Sequence, residues 1–167
     1  MKRNVSTLSF KPKQASKRLL GVLPQRVREV LIARYGLGES ETRQTLEEIG
    51  KKYGITRERV RQIENYGLVS IRKSERFSEE QKTFSELGTL ITSMGGLVAE
   101  GELLTAIAKD KSTQNHVHFL LVVGEPFKKK KEDECFRLHW YMDDEHATKV
   151  CQTLRKLYRN LSDDELV

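Results

Sequence analysis

The sequence predicts a mainly α-helical protein, with an N-terminal helix-turn-helix domain followed by a C-terminal α+β winged-helix domain. Three observations carry that expectation. A twenty-residue unit at 46–65 has the apolar and glycine spacing of two helices crossing over a tight turn. Downstream of Phe77, helical patterns are followed by an alternating Phe136, Leu138, Trp140 run and then one more helical pattern, the element order of a winged helix. Charge also divides the chain: residues 1–76 hold 18 Lys and Arg against 8 Asp and Glu, whereas residues 77–167 hold 12 against 16.

In chain order, residues 1–16 read as a flexible basic tail, 17–76 as the helix-turn-helix domain and 77–167 as the winged-helix domain. Lys17 to Leu23 begins a short helix. Pro24 then opens a stronger one, where its missing N–H does no harm, with Val27, Val30, Leu31 and Tyr35 at helical spacing and Gly36 as its stop. Past the boundary, Ser78 caps a helix through about Met94, with Phe84, Leu87, Leu90 and Ile91 on one face and Gly95-Gly96 at its end. Helices at 100–109 and 112–123, a strand pair ending near Trp140, and a helix from Asp143 to Leu161 complete the chain. That last helix is expected to bury Ala147, Val150, Leu154, Leu157 and Leu161.

Several classes of protein are excluded at this level. No run approaches the roughly 18 apolar residues of a membrane span, and the basic N-terminus has no apolar segment to act as a secretory signal. Cys135 and Cys151 are too few for a disulfide framework, so reduced thiols in a cytoplasm are expected. His116, His118, His139 and His146 join no carboxylate or cysteine in a ligand set, so no metal is expected. No phosphate loop, dinucleotide fingerprint or nucleophile elbow occurs, so neither an enzyme nor a cofactor is expected. The positive N-terminal half suits the phosphate backbone of nucleic acid.

The unit from Leu46 to Asn65 meets several independent steric demands. Leu46, Ile49 and Tyr53 face a second helix, Gly50 permits close helix approach, Gly54 tolerates the turn, and Ile55 plugs the corner. Thr56 caps the next helix, and Val60 and Ile63 point back to the core. Arg57, Glu58, Arg61, Gln62 and Asn65 then share the outward stripe. These side-chain types suit base edges in a major groove, since arginine grips guanine, glutamate accepts from cytosine and glutamine pairs with adenine. Arg43, Lys51, Lys52, Thr56, Arg59, Arg72 and Lys73 are the phosphate-contacting candidates. The other reading of the stripe is a solvated, salt-bridged surface, though two arginines four residues apart repel unless an anion is near.

TLEEIGKKYGITRERVRQIE resembles the signature of sigma-70 family region 4, and the resemblance extends over about residues 23–73. It implies that Arg57, Glu58, Arg61 and Gln62 match base-contacting positions for an upstream promoter hexamer. The preceding LPQRVREVLIARYGL resembles the helix that in that family touches the flap of the RNA polymerase β subunit. The sequence departs from the family at NYGLVSIRK, where Gly67 weakens the helix by roughly 1 kcal/mol relative to alanine. Nothing in the sequence resembles region 2, so a complete initiation factor is not expected.

From Phe77 onward the chain resembles the HARE-type winged helices of the RNA polymerase δ subunit, carried by SELGTLITSMGGLVAEGELLTAI. Lys128 to Lys131 read as a solvated hairpin loop, with a wing tip touching phosphate as the other reading. The expectation is a cytoplasmic, nucleoid-associated bacterial transcription regulator that reads double-stranded promoter-like DNA and contacts the RNA polymerase core, with a protein partner for its acidic half. The alternative is an accessory module of RNA polymerase, a δ-like subunit or a sigma decoy, that does not read DNA.

Overall fold

The computed structural model describes residues 8–164, with side chains through Leu161. Residues 1–7 of the expected tail lie outside that range. In order, the elements are α1 (Pro12–Leu20), α2 (Gln25–Tyr35), α3 (Leu46–Tyr53), α4 (Arg57–Arg72), α5 (Glu75–Glu79), α6 (Gln81–Ser93), β1 (Leu97–Ala99), α7 (Glu100–Ile107), α8 (Lys111–Val123), β2 (Lys128–Lys130), β3 (His139–Tyr141) and α9 (Asp144–Asp164). The mainly helical composition and the small sheet in the second half agree with the sequence reading.

Two stops fall where glycine was expected to make them. Gly36 ends α2 in the left-handed conformation (φ 65°). Gly95 and Gly96 follow α6 with φ 109° and 76°, a backbone other residues rarely adopt. The start of the chain differs from expectation. Helix α1 begins at Pro12, inside the segment read as tail, because Ala15, Ser16, Leu19 and Leu20 are all buried. Those sparse positions among lysines form a face only once a partner covers them.

That partner is α8. Residues Asn115 to Leu121 and Val123 are buried along it, and it packs against α1, α2, α4, α6 and α7. The largest buried cluster consequently runs through both halves, from Ala15, Leu19, Leu31, Tyr35 and Ile71 to Leu87, Ile91, Leu103, Phe119 and Trp140. The sequence reading gave each half its own core; here the main core is shared. The stretch at the expected boundary is not a linker either. Ser74 caps α5, its hydroxyl accepting from the Phe77 amide at 3.3 Å, and Phe77 and Glu80 are buried. Burial pushes the Glu80 carboxyl up, yet hydrogen bonds from Arg18 and Thr83 hold it below the usual range. A smaller cluster of Val30, Ile49 and Val60 joins α2, α3 and α4.

The sheet has the order β1-β3-β2, all antiparallel, with Val98 and Lys129 flanking Trp140. Trp140 is buried and donates to Glu100 Oε2 at 2.8 Å. Helix α9 departs from expectation. Ala147 and Cys151 are buried, but Leu154, Leu157 and Leu161 are 44%, 52% and 58% exposed. The helix outruns the surface on which its first turns pack. Among the described residues no helix is long and apolar enough to cross a membrane, and no group of His, Cys, Asp and Glu could hold a metal ion.

Candidate nucleic-acid interface

Helices α3 and α4 and the turn between them form the site. A reciprocal cap fixes the start of α3: the Thr45 hydroxyl accepts from the Glu48 amide at 3.2 Å, while the Thr45 amide donates to Glu48 Oε2 at 2.7 Å. Gly54 ends α3 with φ 64°. The chain then doubles back so closely that a Cβ on Gly50 would lie 2.7 Å from the Ile55 carbonyl oxygen. Thr56 caps α4, its hydroxyl accepting from the Arg59 amide at 3.1 Å.

Two contacts set the attitude of α4. Tyr35 donates to Glu64 Oε1 at 2.8 Å, and burial first, then Glu64, pushes the phenol well above its ordinary range, so it stays a donor. Further along, Gly67 sits against α2, where a Cβ would come within 2.9 Å of both Val27 and Leu31. The glycine that weakens the isolated helix is what lets α2 and α4 touch. Helix α4 therefore runs unbroken through Gly67 for 16 residues.

Arg57, Glu58, Arg61, Gln62 and Asn65 are all exposed along α4. Arg61 and Glu58 pair with each other at 2.7 Å, and Arg57 lies 3.4 Å from Glu47. Each arginine thus has its own acid, which answers within the molecule the repulsion expected between them. Arg59 donates to the Gln62 side-chain oxygen at 3.1 Å. Lys51, Lys52 and Thr56 are exposed at the same end, and Lys73 is exposed where α4 finishes.

Two phosphate candidates point elsewhere. Arg43 is half-buried and donates to Asn115 Oδ1 at 3.1 Å, near Glu100. Burial lowers its pKa, partly countered by Glu100. Arg72 donates to the carbonyls of Val123 and Val122 at 3.0 and 2.9 Å, capping the end of α8. Both cations join the halves. Asn115 does the same from α8, donating to the carbonyls of Gly36 and Glu41 at 3.0 and 2.8 Å. One surface cation escaped the sequence reading. Arg26 on α2 lies 5.8 Å from the Tyr53 ring, which Lys52 approaches at 5.5 Å from α3. Separate helices bring these two cations to one ring, so sequence spacing gave no sign of Arg26 beside Lys52.

A helix locked at its N-terminus, docked through a glycine seam and bare along its outward stripe is what the sequence resemblance requires. Residues 19–73 match the family model described as Sigma-70, region 4. The chain is similar to part of the RNA polymerase principal sigma factor HrdD of Streptomyces viridifaciens, 45% identical over 58 residues, which is 35% of this chain and 17% of that protein. It is also similar to part of the RNA polymerase sigma factor SigA of a Bacillus species, 47% identical over 68 residues, or 41% of this chain and 18% of the relative. SigA of Listeria monocytogenes gives 46% over the same length, with the same coverage. The chain thus spans less than a fifth of the length of these relatives. No solved structure matches the chain significantly.

Proposed function

We propose that the protein is a sequence-specific DNA-binding transcription regulator. Its region 4 unit reads a promoter-like site in the major groove through Arg57, Glu58, Arg61, Gln62 and Asn65, with Lys51, Lys52, Thr56, Arg59, Lys73 and Arg26 against the phosphates. The single observation behind this reading is the solvent-facing stripe on α4, carried by a unit that matches region 4. The named relatives are RNA polymerase sigma factors, which supports association with the RNA polymerase core; contact with the β-subunit flap and a cytoplasmic setting belong to the same proposal.

Within the shared core we assign separate tasks to residues 17–76 and 77–167. In a helix-turn-helix pair the second helix enters the groove, and α8 holds that place after α7. It is buried under α1 and α2. The second half therefore acts as a winged-helix platform and protein-contact module, and DNA reading falls to α4. Selection of bound sites from a randomised duplex library with the full chain tests the reading. Enrichment of one motif is the expected result. Recovery of unenriched DNA, or of none, would favour an accessory module of RNA polymerase, a reading that the internal Arg61–Glu58 and Arg57–Glu47 pairs make tenable.

A further inference from the structure

Ala147, Val150, Leu154, Leu157 and Leu161 follow one another along α9 at intervals of three, four, three and four residues. This is the repeat of helices that pack side by side along a common seam. The chain uses the first turns itself, burying Ala147 and Cys151. Beyond them Leu154, Leu157 and Leu161 stand 44%, 52% and 58% exposed. With half-buried Phe136 they line a groove of roughly 470 Å³.

We propose that this seam binds a second copy of the chain, α9 against α9. The repeat calls for a partner helix with the same repeat, and an identical helix has it. The groove and the protruding leucines that border it lie side by side on one copy, so two copies related by a twofold axis fill each other's grooves. Charge points the same way. The positions flanking the seam are Cys151, Thr153, Tyr158 and Asn160, none of them Asp, Glu, Lys or Arg. Lys149, Lys156 and Arg159 fall on the remaining rows of the helix. Arg155 is drawn aside to Asp133 at 2.8 Å and lies over Phe136. Two copies therefore meet without bringing like charges face to face, and no border charge selects an acidic or basic stranger. The patch is small, at the low end of specific interfaces below about 1,200 Å². Association is accordingly weak in free solution and reinforced when both copies hold one DNA molecule, the second contact being intramolecular. The pairing itself does not depend on the DNA-reading proposal.

Sedimentation velocity of the full chain across the micromolar range, without DNA, tests it. The parent is expected to shift from monomer to dimer with concentration. Leu157→Lys should weaken association by roughly a hundredfold or more, because unpaired charges would enter the seam. Its circular dichroism should be unchanged, since Leu157 is half-exposed in the monomer. Mixing Leu157→Lys with Leu157→Glu should restore dimers, which a fold defect would not allow. A parent that stays monomeric overturns the proposal. So does a Leu157→Lys variant that dimerises like the parent, which would place the contact on another face.

Discussion

Arg61 grips Glu58 on the outward face of α4, its Nε donating to Oε2 at 2.9 Å and its Nη2 to Oε1 at 2.7 Å. The hydrogen bond first, and the charge of Arg61 second, hold the Glu58 carboxyl below the ordinary range. Two residues assigned to different bases are thus each other's partner before DNA arrives. If the two read bases as proposed, binding would open the pair, and only a sequence offering an acceptor to one and a donor to the other would repay that opening in full.

Arg61→Ala should therefore relax preference at one base position and lower affinity for the best site roughly ten- to hundredfold. Glu58→Ala should bind random DNA as well as or better than the parent, since an acid leaves a phosphate-facing surface, while losing selectivity. Lys52→Ala should weaken all sequences alike and lower the salt slope of binding by about one. Competition binding against a randomised library separates these outcomes. An unchanged sequence logo for both Arg61→Ala and Glu58→Ala would remove the stripe from base reading.

Gly67→Ala tests packing against propensity. In an isolated helix the change should stabilise by about 1 kcal/mol. In the protein the added methyl meets Leu31, which is fully buried and cannot yield easily, so a net loss of about 1–3 kcal/mol is expected. Gly50→Ala should cost at least as much, because the atom in its way is a backbone oxygen. Urea unfolding of the two variants measures both, and a stabilised Gly67→Ala would show that α2 and α4 do not press together there.

The shared core predicts one unfolding transition. Far-ultraviolet and tryptophan signals should coincide on heating, because Trp140 in the second half and Leu19 and Leu31 in the first belong to one buried cluster. Limited proteolysis should spare 73–82 until global unfolding. Early cleavage there, releasing two folded fragments, would instead show two independent domains.

Acid should weaken the fold through two buried histidines. Burial, assisted by Lys13 and Lys17, lowers His116 to about 4, and burial with Arg43 lowers His118 to about 3. Both histidines are neutral when folded, while in the unfolded chain they take up protons below about pH 6.5. The unfolded state then binds more protons, so stability is full above that pH and falls as pH drops through the window down to the folded values. By pH 5 the loss should reach about 2 kcal/mol for each histidine. A Tm that does not change between pH 7.5 and 5 would contradict the burial of the two rings.

How much of this was readable in advance depended on the range of each interaction. Gly50, Gly54 and Thr56 answer to neighbours a few residues away, so their roles could be read from spacing. Arg43 and Arg72 have partners 72 and 51 residues distant, and a sequence shows only that they are cations. Phosphate was the reasonable assignment for both until Asn115 and the end of α8 came into view. The start of α1, ahead of Lys17, was missed for a related reason, since its apolar face is narrow and its cover is α8. In α9 periodicity correctly marked an apolar stripe, but periodicity carries no information about what covers it.

Helix α4 has its first turn at the proposed DNA surface, while its last residue is bonded to the carbonyls closing α8. Its 16 residues make a stiff rod about 24 Å long. A rod held at both ends transmits rotation. A few degrees of tilt imposed on the second half displaces the Arg57 end by an ångström or two, a distance comparable with the tolerance of a hydrogen bond to a base. On the proposed reading, the platform is therefore coupled to the reading head, and a molecule that seated on the acidic half and shifted α8 would retune which bases α4 can reach, without touching DNA.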